Sequence, residues 1–146
     1  MMLRPAMAAI VLIASASFSF AANAKGFSFD SHAATCGASA ADASDCEAAK
    51  LKGKKDYASA LKGDYQAQRN TAYCLYTGCR GYRTDKAAAC AWRIVIIASG
   101  NPKVDPSDTS NLTLCERQLS PAEMSAASGA AHTLFRQVYK REMPRL

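Results

Sequence analysis

The sequence predicts an all-α chain whose helices pair as antiparallel hairpins and are stapled by disulfides. Three observations carry that expectation. From about residue 55 onward, small and apolar residues recur at helical spacing. Helix stop and start signals punctuate that pattern at Gly63-Asp64, Thr84-Asp85, Gly100, Asp105-Pro106 and Ser120-Pro121. Six cysteines, at 36, 46, 74, 79, 90 and 115, are an even and large number for 146 residues. Strand signals are almost absent: Gly26-Phe27-Ser28-Phe29 alternates briefly and has no partner.

Residues 1–24 are read as a secretory signal peptide. Arg4 precedes an apolar run from Ala6 to Phe20, and Ala22-Asn23-Ala24 fits a small-x-small cleavage site. The run is shorter than the roughly 20 residues of a membrane span, so no stable membrane insertion is expected after cleavage. Residues 25–146 then carry 17 basic and 12 acidic side chains, a net charge of +5. That excess favours acidic partners or surfaces. The basic residues are scattered, which is not a nucleic-acid footprint, and the cluster Lys50, Lys52, Lys54 and Lys55 reads as a solvated face. The expected location is periplasmic or secreted, where disulfides persist. Six cysteines allow many connectivities, and spacing alone does not choose among them. Paired C-x2-C zinc spacing is absent, and Cys74-x4-Cys79 is too wide for a C-x-x-C redox motif.

Residues 25–54 read as an irregular arm, pinned at Cys36 and Cys46 rather than packed. It holds one short helix, capped by Asp42 or Asp45 and running to about Leu51. Residues 55–146 read as the helical domain. Asp56–Lys62 ends at Gly63, which suits the left-handed position that closes a helix, and Asp64 caps the next one. That helix runs from about Tyr65 to Thr77, with Gln66, Arg69, Asn70, Tyr73 and Thr77 on a polar side and Ala67, Thr71, Cys74, Leu75 and Gly78 opposite. Gly78 and Gly81 break the chain into a turn. The following helix runs to about Ser99, is apolar nearly all round, and is interrupted by Arg93. A helix of that kind is covered on several sides. Two helices joined by a short glycine turn make an αα-hairpin. Asp105-Pro106 opens a helix to about Gln118. Ser120-Pro121-Ala122-Glu123 is a capping box, starting a final helix to about Arg141. Its stripe is Ala127, Ala131, Leu134, Phe135, Val138 and Tyr139.

The hairpin's sequence resembles a known unit. Gly63-Asp64-x-x-Ala67-Gln68-x-Asn70, then Gly78, Gly81, Asp85, Ala89 and Trp92, are similar to the Sel-one-like repeat, a relative of the tetratricopeptide repeat. The resemblance implies one clear repeat at 63–99 with partial repeats on either side, in a short α/α solenoid of tetratricopeptide-like hairpins. It assigns Ala72 and Ala89 to close helix approach and Trp92 to the groove between hairpins. Ala72 stands where the family has Gly, and two residues separate Gly78 from Gly81 where the family has one. Helical repeats bury their faces on neighbours, so disulfides are expected to make up for missing ones, as in cysteine-rich exported members of the family. The pairings expected on that basis are Cys90–Cys115, Cys36–Cys46 and Cys74–Cys79.

No catalytic, cofactor-binding or metal site is read from the sequence. His32 and His132 have no ligating neighbours. Ser59-Ala60-Leu61-Lys62 matches the Ser-x-x-Lys motif of penicillin-recognising enzymes, but the companion Lys-Thr-Gly is missing and Ser107-Asp108-Thr109 only half matches Ser-Asp-Asn. A small cell-wall or β-lactam enzyme using Ser59 and Lys62 is therefore the alternative. The leading expectation is a non-catalytic binding or scaffold module of the bacterial envelope, holding another envelope protein or a peptide. In related solenoids the first helix of each hairpin lines the binding face, which points to Arg69, Asn70 and Tyr73, with Tyr76, Arg80 and Tyr82 near the turn. Tyrosine and arginine are enriched at interface cores.

Overall fold

The computed structural model describes residues 27–37 and 39–146; the signal peptide read at 1–24 lies outside them. The described residues form five α-helices: α1 (Ala40–Leu61), α2 (Tyr65–Thr77), α3 (Lys86–Ala98), α4 (Pro106–Gln118) and α5 (Pro121–Tyr139). A single 3-10 turn at Phe29–His32 precedes them. Extended pairing among the described residues is one isolated bridge, Ala33 with Tyr82. None of these helices is long and apolar enough to cross a membrane.

Local chemistry sets the helix ends. Asp64 accepts from Ala67 N–H at 2.7 Å and Asp85 from Ala88 N–H at 2.9 Å, each satisfying an orphan donor of the first turn. Asp105 with Asp108, and Ser120 with Glu123, form reciprocal capping boxes. Gly63 and Gly78 close the helices before them at φ +90° and +78°, where a side chain would be strained. The final helix ends at Tyr139, two residues short of the expected Arg141, because Lys140 turns left-handed at φ 55°.

Helix α3 is the centre. Ala89, Trp92, Ile94, Val95, Ile96 and Ala98 are all buried, and α2, α4 and α5 each pack on it. Trp92 meets Tyr57 of α1 edge-to-face at 5.6 Å. Ala67 and Ala72 of α2 are buried as small residues between helices.

Two expectations about the arm are corrected. The short helix ending near Leu51 is instead the first half of α1, which runs unbroken across the 54/55 boundary and starts one turn earlier, capped by Ser39. Its inward positions are Cys46, Gly53, Tyr57 and Ala60. They recur at helical spacing, but a cysteine and a glycine do not register as an apolar stripe. The segment before it is packed, not merely pinned. Phe29 and His32 are buried, and Phe29 meets Tyr82 edge-to-face at 5.1 Å. Ala34 N–H donates to Gly81 O at 3.0 Å, and Arg83 N–H to His32 O at 2.8 Å, so the arm is stitched onto the α2–α3 turn.

All six cysteines are paired. Cys90–Cys115 joins α3 to α4 with 5.8 Å between Cα atoms, Cys36–Cys46 ties the arm to α1 at 5.6 Å, and Cys74–Cys79 closes the end of α2 onto its turn at 4.7 Å. These are the expected pairs.

Candidate functional site

The polar side of α2 does not face open solvent along its whole length. Together with α3 and α4 it walls a groove of about 320 Å³. Arg69, Asn70 and Tyr73 line it from α2, Arg93 and Ile96 from α3, and Asp108 and Asn111 from α4. Tyr73 stands at its mouth, 61 % exposed.

Helical spacing explains why these side chains meet. Arg69 and Tyr73 are four apart, and Arg93 and Ile96 three apart, so each pair shares a face. Asp105 and Pro106 start α4 where Asp108 comes to lie opposite Arg69. Arg69 is held from several directions: Nε donates to Asp108 Oδ1 at 3.1 Å, Nη2 to Ser107 Oγ at 2.6 Å, and Nη1 to the Tyr65 hydroxyl at 3.2 Å. The Tyr65 hydroxyl donates in turn to Asp108 Oδ2 at 2.6 Å. Asp108 is buried, so this network satisfies a carboxylate that would be costly alone. Ser107, through its hydroxyl and backbone N–H, holds the neighbouring Asp105 carboxyl below the usual range.

Arg93 differs. It is 7 % exposed. Nη1 donates to Asn111 O at 2.8 Å and to Cys115 Sγ at 3.5 Å. The guanidinium carbon lies 4.4 Å from the centre of the Tyr76 ring, a cation–π contact. Burial lowers its pKa.

Of the six surface candidates, the groove gathers three: Arg69, Asn70 and Tyr73. Tyr76 lies one turn further on, with its ring against Arg93 and its hydroxyl donating to Gln118. Arg80 is elsewhere, paired with Asp45 at 3.3 Å and Asp42 at 3.6 Å on α1. Tyr82 is a correction: it is a core residue, packed on Phe29, with its hydroxyl donating to Gly53 O at 3.2 Å. Its place beside a glycine turn suggests the surface, but while Gly78 and Arg80 of that turn are exposed, Gly81 and Tyr82 are buried against α1. Arg93, Asp108 and Asn111 were not expected at a site. The one signal for them was Arg93, a charge in an otherwise apolar helix.

Ser59 and Lys62 are both exposed near the end of α1, and neither lines the groove. His132 is exposed, while His32 is buried with Nδ1 3.6 Å from Asp85 Oδ2, beyond hydrogen-bond distance. Among the described residues no group of His, Cys, Asp and Glu has metal-site geometry.

No family model, curated protein or solved structure matches the chain. The likeness to the Sel-one-like repeat therefore stands on the residues quoted for it alone.

Proposed function

We propose that the protein is an exported, non-catalytic binding or scaffold module of the bacterial envelope, periplasmic or secreted, that holds another envelope protein or a peptide in the α2–α3–α4 groove. The observation that carries this reading is the groove itself, where the polar stripe of α2 meets polar groups of α3 and α4 around an apolar floor. Convergent polar groups in a cleft fix the orientation of what binds there, and this groove, lined mainly by polar side chains, is richer in them than an ordinary apolar pocket. The three disulfides fit an oxidising compartment. On this reading α2–α3 is a repeat hairpin, α4–α5 follows it in a short solenoid, and α1 covers the first hairpin in place of a preceding repeat.

Site-specific crosslinking in the native envelope tests the proposal. A photoreactive residue at Tyr73 should give discrete partner adducts, and the same residue at His132, exposed on α5, should not. Identical adduct patterns at both positions would refute the assignment of the groove.

A further inference from the structure

Arg93 has no carboxylate partner among the described residues, although it is 7 % exposed. A buried charge left without a counter-charge is costly. The carbonyl of Asn111 and the ring of Tyr76 occupy one nitrogen and one face of the guanidinium. Nε and Nη2 make no hydrogen bond within the described protein, and the residue lines the groove. Asp108, the carboxylate in the same groove, is committed to Arg69 and Tyr65. The groove therefore holds one cation matched by an internal anion and one that is not.

We propose that the groove binds the carboxylate of a dipeptide-sized ligand, with Arg93 as its counter-charge. The inference rests on the reading of the groove as a binding site and names the chemistry it selects. A planar guanidinium with two adjacent free N–H groups matches a carboxylate in a bidentate pair. Ala72 and Ile96 give the side chain next to that carboxylate an apolar floor. Asn70 and Asn111 line the same groove, with the Asn70 Oδ1 accepting from Gln66 at 2.9 Å. The volume, about 320 Å³, lies at the lower end of small-molecule sites, about 300–1,000 Å³, which suits a peptide end or a free dipeptide rather than a folded loop. Arg69 does not serve this role, because its donors are already spent on Asp108, Ser107 and Tyr65.

Calorimetry at low salt tests this on the disulfide-bonded protein. The probes are N-acetyl-alanyl dipeptides ending in alanine, leucine, phenylalanine or glutamate, each as the free acid and as the C-terminal amide, with sodium acetate and inorganic phosphate as bare anions. At least one acid should bind, its amide at least roughly tenfold more weakly, one charge pair's worth of affinity. Arg93→Met, which keeps the stem, should lose the preference for acid over amide. Equal binding of acid and amide, no binding of any acid, or acetate and phosphate binding as tightly as the best acid would each overturn the proposal. The acid–amide comparison uses the unaltered protein, so it decides the matter even if R93M does not fold. Partner crosslinks at Tyr73 alongside no dipeptide binding would leave the binding module standing and remove only the carboxylate assignment. Acid-specific binding in a protein that gives no envelope adducts would do the reverse.

Discussion

Gly53 and Gly129 both lie inside helices, and alanine at either should stabilise by about 1 kcal/mol on helix propensity alone. The structure gives them opposite signs. At Gly129, on the exposed side of α5, nothing lies within 4 Å of a new Cβ, so G129A should raise stability by that amount. At Gly53 the new atom would sit 2.8 Å from Phe29 Cε2 and 2.8 Å from Tyr82 Cε2. Neither ring can swing away cheaply. Both are buried and packed edge-to-face at 5.1 Å, and the Tyr82 hydroxyl is held by the carbonyl of Gly53 itself at 3.2 Å. Overpacking of this kind costs about 1–3 kcal/mol, which offsets or exceeds the propensity gain. G53A should therefore be neutral or destabilised by up to about 2 kcal/mol, and should lie about 1–3 kcal/mol below G129A. Urea unfolding followed by far-UV circular dichroism, with disulfides intact, measures both; the m-values should be unchanged. If G53A gains as much as G129A, the arm does not pack on α1 as described.

Two further expectations concern the staples and the acid limb. The disulfides close loops of 25, 10 and 5 residues in separation, for which the chain-entropy relation gives about 3.5, 2.7 and 2.1 kcal/mol; paired Cys→Ala variants in urea should follow that order, with Cys90/Cys115 the most costly, and a larger loss from Cys74/Cys79 would contradict it. The His32 imidazole beside Asp85, and then the Ala88 N–H that it caps, hold the Asp85 carboxyl below its usual value. The stability gained this way is fully present above the unfolded value of about 3.9 and lost as pH falls through the lower folded value. An Asp85→Asn variant should accordingly show a shallower fall of unfolding midpoint between about pH 4 and pH 2 than the parent, and an unchanged slope would show that the pair contributes nothing there.

The bounds of α2, α3 and α4 were legible because each is set by a local signal: an aspartate accepting from the first turn, a left-handed glycine, a first-turn proline. Helix α1 was not, since its buried face is written in Cys46, Gly53, Tyr57 and Ala60, and the lysines and aspartates of its solvated faces mark no apolar side opposite them. Half the site was legible on the same principle. Arg69, Asn70 and Tyr73 share one helix face, and periodicity finds a face. Asp108 and Asn111 reach the groove only through the packing of α4 on α3, which no local pattern encodes. Tyr82 shows the converse error, where a residue beside a glycine turn was given to the surface although Gly81 brings that turn onto the backbone of Ala49 and Lys50.

What distinguishes the groove from the rest of the polar surface is how its walls are joined. Helices α2 and α3 are joined by their turn. Helices α3 and α4 are joined covalently through Cys90–Cys115 and again by Arg93 donating to the Asn111 carbonyl. Helices α2 and α4 are joined by Arg69, which reaches Ser107 and Asp108. Each pair of walls thus has its own brace, and two of the braces are arginines that also line the cavity. Arg80, by contrast, makes exposed ion pairs with Asp42 and Asp45, which hold little in water. A site whose walls are fixed before a ligand arrives loses less order on binding. The disulfide nearest the groove and the Arg93 hydrogen bond thus brace the same wall: Cys90–Cys115 ties α4 to α3, and Arg93 fastens the Asn111 carbonyl beside it.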